Sequence, residues 1–343
     1  MTAAASAGRL AAAALTGLLA AVLAGCAVPG AAPTPSYALH GGHDVSRGAP
    51  RAAARTPSSD LSHLLETRQT CADGRPATAS YAPDGARPGT IPDGSTMARI
   101  RERGSLRVGI SADTLRMSAR NPFTGEIEGF DIDVARSIAE AILGDPGKVT
   151  FRVITSAQRE EVLEAHEVDV VVRTFTITCE RWRDIAFSAE YYHAGQKLLV
   201  PMSSKVTDAE GLQGQRVCAP QDTTSLALLQ TWGGVTPVAA DTHTECLALF
   251  QQGRVDAVTG DDTVLAGFAA QDPYAKVVGD AVGDEPYGVG IPADQVDMVR
   301  FVNAVLERRA DDGAWRASHD RWLTDVLGHA PGAPEPVYGR RVP

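Results

Sequence analysis

Positive charge is in deficit in this chain. Across 343 residues there are 32 Lys and Arg against 42 Asp and Glu, a formal charge of −10, which leaves no basic field for nucleic acid or for an anionic membrane surface. The acid excess is spread out, with no polyacidic tail and no internal repeat, which argues against a charged interaction tail and a solenoid. Neither GxGxxG nor GxxxxGK[ST] occurs, so the usual phosphate cradles are missing and nothing points to a nucleotide or other cofactor. Cysteines number five, none in CxxC spacing, which argues against a zinc ribbon, a structural metal and a catalytic thiol. What is present is ordinary for a globular protein: 44% hydrophobic and 22% charged residues, in a length that allows two domains at about 150 residues each.

The N-terminus carries an address. Residues 1–25 hold one Arg (Arg9), an Ala/Leu run from Leu10, and small residues before Cys26, the plan of a secretory signal and shorter than the roughly 20 apolar residues of a membrane-spanning helix. Leu23-Ala24-Gly25-Cys26 looks like a bacterial lipobox, so Cys26 is expected to be lipidated and to anchor the protein in the outer face of the cell membrane. Residues 26–95 are rich in Ala, Pro, Gly, Ser and Thr and are expected to form a flexible tether, because such composition buries too little apolar surface to offset ordering entropy. His40 and His43 of the HGGH stretch belong to that linker rather than to a metal site.

Cys26 aside, four cysteines remain, an even number that in an exported protein points to disulfides with three possible connectivities. Cys218 ends a short apolar strand, and Cys246 opens a helix that follows the next strand. Neighbouring parallel strands would bring both to one sheet edge, which favours Cys218 with Cys246 and leaves Cys71 with Cys179, a staple of the tether onto the folded part.

From residue 96 strands and helices alternate. A helix-like MARIRERG precedes strand 106–110, then come a helix from 130 to 143 with Ile132, Ala135, Ile138, Ala139 and Ile142 at helical spacing, strand 148–153, helix 158–166 and strand 168–172. A second series follows the extended stretch 197–200: strand 216–219, helix 224–231, strand 235–239, helix 242–251, strand 255–259, helix 263–270 and strand 276–278. Two amphipathic helices after Pro292, the second holding Trp315 and Trp322, close the pattern. Alternating βα units imply parallel sheets, and two series imply two α/β lobes with a ligand cleft at the strand ends.

Three segments carry a closer likeness: Gly129-Phe130-Asp131-Ile132-Asp133-Val134-Ala135, Thr174-Phe175-Thr176-Ile177-Thr178-Cys179-Glu180-Arg181, and Phe187-Ser188-Ala189-Glu190-Tyr191-Tyr192. With Asp256 to Asp262 and the Trp315 to Trp322 tail, they make residues 96–326 resemble the extracytoplasmic solute-binding proteins of polar amino-acid ABC importers, nearest in flavour to actinobacterial glutamate-binding lipoproteins. The resemblance implies a two-lobed type II periplasmic-binding-protein fold with each lobe a βα sheet sandwich. Lobe 1 would comprise 96–195 plus 284–327, lobe 2 would comprise 196–283, a tail would run over 328–343, and two crossing strands would form the hinge. It also implies a monomer that hands a free amino acid to a permease.

A free amino acid presents a carboxylate and an ammonium, so its site needs a planar cation, hydroxyl or amide donors, and an anion. The matched positions place Arg181 on the α-carboxylate as a two-pronged donor, with Thr176 and Thr224 adding donors, the latter at a helix start. Asp261 pairs with the ammonium, helped by the Thr174 region. The aromatic that commonly follows the family's first strand is missing from Ser111 to Met117, whereas Arg173, Arg116 and Arg120 supply extra cations. A second ligand carboxylate would use them, which points to glutamate or aspartate, with glutamine and asparagine as the alternatives. His193 is assigned to packing near the hinge. The local alternatives are plain: Arg181 in a surface ion pair, Thr223 or Thr224 as a helix cap, Asp261 or Asp262 as the cap of the helix at Thr263. Two other roles compete, a sensor reporting ligand to a membrane signalling protein and an enzyme on the same fold. The enzyme would need an acid or base in the cleft. Glu180 and Asp262 are the candidates for it, without paired carboxylates at a catalytic spacing, so the protein is read as a binder and not an enzyme.

Overall fold

The computed structural model describes residues 70–329 and 332–341. The signal 1–25, Cys26, His40, His43 and the tether as far as residue 69 lie outside the described residues.

Helix α1 (Thr96–Arg103) starts at Ser95, whose Oγ accepts from Ala98 N at 3.1 Å, and stops at Gly104 in the left-handed region. Next come β1 (Leu106–Ile110) and a small antiparallel sheet of β2 (Asp113–Thr114), β3 (Ser118–Arg120) and β4 (Ile127–Glu128). Helix α2 (Phe130–Leu143) is entered through Gly129 at φ 136°, where a Cβ would fall 2.3 Å from the Met117 carbonyl oxygen. Only glycine fits there. Strand β5 (Val149–Val153), helix α3 (Gln158–Glu164), β6 (Val170–Val171) and β7 (Ile185–Phe187) complete this run, with Arg181–Arg183 as one 3-10 turn before β7.

The second run is β8 (Tyr192–Pro201), β9 (Arg216–Pro220), α4 (Thr224–Leu229), β10 (Thr236–Ala240), α5 (His243–Gln251), β11 (Ala257–Asp261), α6 (Asp262–Gln271) and β12 (Ala275–Tyr287). Strand β13 (Gly290–Pro292) and helices α7 (Val296–Asp311), α8 (Ala314–Trp322) and α9 (Thr324–Leu327) follow. Two five-stranded sheets result, ordered β5-β1-β6-β13-β7 and β10-β9-β11-β8-β12. The chain thus returns to the first sheet after building the second, and each sheet defines a lobe.

Strands β8 and β12 connect the lobes. They pair antiparallel from Ala275 opposite Pro201 to Tyr287 opposite Tyr192, with a register shift between Val278 and Gly283. Sequence periodicity marks only 197–200 and 276–278 as extended; the remainder of each strand is rich in polar residues and glycine and is strand because it has the other as partner. Lobe one packs Phe130 against Tyr191, Tyr192 and Trp315, while Phe250 and Phe268 share the lobe-two core with a bond between Cys218 and Cys246, Cα atoms 5.5 Å apart.

The described part of the expected tether is not a free linker. Cys71 is bonded to Cys179, and Ala77, Ala79 and Tyr81 are buried. Asn303 of α7 donates to Ser80 Oγ and to the Tyr81 carbonyl at 2.9 and 2.7 Å, and the C-terminal segment pairs with it through Ser80 and Tyr338. Composition misleads here because the strap borrows its core from lobe one instead of building its own.

Candidate functional site

The TFTIT loop is held by a buried carboxylate. Asp131, at the first turn of α2, accepts from Thr174 N at 2.9 Å and from Tyr191 OH at 2.8 Å, and burial pushes its pKa up to about 7. Thr174 sits at φ 39°, a conformation costly outside glycine and sustained by that anchor. The next residues then aim Phe175, Thr176 and Arg181 at one spot.

Arg181 is fully engaged. Its Nη1 donates to the Thr176 carbonyl at 2.7 Å, Nη2 to the Asp222 carbonyl across the cleft at 3.2 Å, and Nε to Glu160 at 3.2 Å. Arg159 lies beside it, donating to the Asp222 carbonyl at 2.9 Å, and the two guanidiniums stand 4.5 and 4.8 Å from the Phe175 ring centroid. Arg173 donates to the Ile154 carbonyl and to Ser156 Oγ at 2.9 and 2.8 Å; burial lowers its pKa to about 10. Three buried cations therefore converge.

Lobe two meets them with hydroxyls and acids. Thr223 caps α4, accepting from Leu226 N at 3.1 Å, which leaves Thr224 free of that duty. Thr224 Oγ1 donates to Glu285 at 2.6 Å, and Thr176 Oγ1 donates to the same oxygen at 2.5 Å. Asp261 occupies the N-cap position of α6 without a side-chain cap bond; its carboxylate accepts from Tyr287 OH at 2.6 Å and from Ser225 Oγ at 3.4 Å. Burial and then Glu285 push Asp261 up to about 8, so it is poised to gain a cationic partner. At the far end Asp113 accepts from Ser111 and, across the cleft, from Thr244, each at 2.6 Å. Burial alone would raise its pKa, but these bonds together with the nearby charge of Arg173 outweigh burial and hold it below the usual value. His243 beside it is kept neutral, with its pKa pushed down to about 3 by burial and Arg173.

Of the residues singled out from sequence, Arg181, Arg173, Thr174, Thr176, Thr224 and Asp261 gather in this cleft. Arg116 and Arg120 do not. Arg116 pairs with Asp325 at 2.7 Å and with the Trp322 carbonyl, and Arg120 donates to the Gly125 carbonyl of its own hairpin, because the β2–β3–β4 sheet turns both side chains away. His193 is half exposed between Glu190 and Asp284. Sequence reading missed Arg159, Asp113, His243 and Glu285. The first three look like helix and strand-end surface positions, and Glu285 comes into view only once β12 is known to cross between the lobes. Among the described residues no His, Cys, Asp and Glu group fits a metal, and no helix is long and apolar enough to cross a membrane.

Two α/β lobes joined by crossing strands, with buried cations on one jaw facing hydroxyls and a carboxylate on the other, define a hinged solute-binding protein of the type II periplasmic-binding-protein fold. The chain belongs to the bacterial extracellular solute-binding proteins, family 3, whose pattern matches residues 106–325. It is 34% identical over 232 residues to the ABC transporter glutamine-binding protein of Bacillus subtilis (strain 168), covering 67% of this chain and 85% of that one. It is 32% identical over 240 residues to the glutamate-binding protein of Corynebacterium efficiens, covering 66% and 80%. The crystal structure of the solute receptor for L-cysteine of Neisseria gonorrhoeae superposes with a TM-score of 0.66 at 26% identity, over 70% of this chain and all of that one, 100%. These relatives are binding proteins, and so is this chain: it is not an enzyme. Glu180 is exposed at the rim of the cleft and paired with Arg183.

Proposed function

We propose that the protein captures a free acidic amino acid, glutamate or aspartate, between its lobes and delivers it to the permease of an ABC importer, held at the outer face of the membrane by lipid on Cys26. The convergence of Arg159, Arg173 and Arg181 in one buried cleft carries this reading. One zwitterion needs a single guanidinium for its α-carboxylate, and a side-chain carboxylate accounts for the others. Asp261, Thr176 and the Thr174 carbonyl are suited to the ammonium. The Asp222 carbonyl now spans Arg159 and Arg181, and a ligand carboxylate would take over those donors as the lobes open and reclose. The glutamate-binding relative supports the assignment.

A second reading rests on Asp113. A carboxylate beside Arg173 at the distal end would accept from a side-chain amide while the arginine donates to its oxygen, which suits glutamine, and a glutamine-binding relative shares 34% identity. Calorimetric titration with glutamate, aspartate, glutamine and asparagine separates the two. Tighter binding of the acids supports the first reading; preference for the amides transfers the site to the second.

A further inference from the structure

The strap of residues 70–81 lies wholly outside the stretch that carries the family match, yet it reaches the cleft. Cys71 is bonded to Cys179, two residues from Arg181. Trp182 Nε1 donates to the Ala77 carbonyl at 2.8 Å, and Ser80 Oγ donates to the Phe187 carbonyl at 2.8 Å. The strap is thereby fixed to lobe one on both sides of Ala77 and Thr78. Those two residues help line a cavity of about 350 Å³ with Thr176 of lobe one, Thr224 and Leu228 of lobe two, and Glu285 of the crossing strand.

We propose that this stapled strap is a working part of the binding site: a rigid lip on lobe one against which α4 of lobe two closes, controlling how fast a bound amino acid leaves. The inference rests on the amino-acid reading above. Three of the cavity's walls are the hydroxyls and carboxylate at the centre of the cleft, so a ligand leaving on this side passes between Thr78 and Leu228. An unpinned segment there would have to be ordered at each closure, at an entropic cost. The disulfide and the Trp182 bond hold it ordered beforehand, which favours the closed state. Effects of such a lip fall mainly on dissociation, where most affinity differences between related sites arise.

The test is stopped-flow dissociation of bound glutamate, or of whichever amino acid the protein binds, followed by tryptophan fluorescence well below the melting temperature. Cys71→Ser/Cys179→Ser should speed dissociation by about tenfold, and Thr78→Gly, which leaves the staple and Arg181 undisturbed, by at least about threefold. Cys218→Ser/Cys246→Ser, which removes a bond of the lobe-two core whose residues do not line the cavity, should leave the rate unchanged. Native dissociation rates in Thr78→Gly and in the unstapled protein would overturn the lip while leaving amino-acid capture intact. A native protein that binds no amino acid overturns both.

Discussion

Thr176 and Thr224 come from opposite lobes and donate their hydroxyls to one atom, Oε2 of Glu285, at 2.5 and 2.6 Å. The jaws are thus joined through the strand on which they turn, and the charge placed there bears on Asp261, whose pKa Glu285 raises. Hinge-linked closure of this kind couples ligand contact to domain movement.

Asp261 should make binding pH-dependent. Its folded value of about 8 lies above the ordinary 3.8, so between these limits the unliganded folded protein holds a proton that the unfolded chain does not. Stability of the unliganded protein therefore falls as pH rises through that window. An ammonium beside Asp261 favours the ionised form, so binding below pH 8 releases a proton and weakens by up to about tenfold per unit as pH falls. Calorimetry in buffers of different ionisation enthalpy measures that proton. Asp261→Asn should bind weakly and release none, and Glu285→Gln should shift the pH dependence to lower pH.

Arg181→Ala removes the planar donor, takes the guanidinium from Glu160 and the Thr176 carbonyl, and leaves the Asp222 carbonyl to Arg159 alone. Truncating one partner of a buried charged contact costs about 2–5 kcal/mol, so calorimetry should find affinity lowered by more than about thirtyfold. Arg181→Lys should not restore it, since an ammonium is a point charge without the fork. Arg173→Met should discriminate against acidic ligands more than against the amides.

Arg116→Ala and Arg120→Ala should leave affinity unchanged, because their guanidiniums serve Asp325, the Trp322 carbonyl and the Gly125 carbonyl. The Arg116 variant should lose at most about 1 kcal/mol of stability in a urea melt, the usual range for a solvent-facing pair. A loss of binding in either would place them at the ligand after all.

Removing the bond between Cys218 and Cys246, which closes 28 residues within the lobe-two core, should lower stability by about 2–5 kcal/mol. The melting temperature of the Cys218→Ser/Cys246→Ser variant reads this directly, and its far-UV spectrum at low temperature should remain native.

Much of the architecture was legible because it is local. The βα alternation and the apolar face of α2 follow from periodicity, whereas the Gly129 to Asp131 motif stood out through the family resemblance. What eluded the sequence depends on distant partners. The long pairing of β8 with β12 has no alternation of its own, and the strap reads as linker because Asn303, Trp182 and Phe187 supply its bonds from elsewhere. In the site, Arg181, Thr176 and Asp261 announced themselves through their motifs. Arg159 is indistinguishable in sequence from a solvated helix arginine until Phe175 is seen beneath it.

The central claim is that this cleft closes on a free amino acid through Arg181 and Asp261. The most direct test is a thermal-shift panel of the twenty amino acids on the exported protein, stripped of bound ligand by unfolding and refolding. A ligand at 100 times its Kd adds about 2.7 kcal/mol, a shift of several degrees. The account predicts such a shift with glutamate or aspartate and its disappearance in Arg181→Ala. No shift with any amino acid, or an undiminished one in Arg181→Ala, would contradict it.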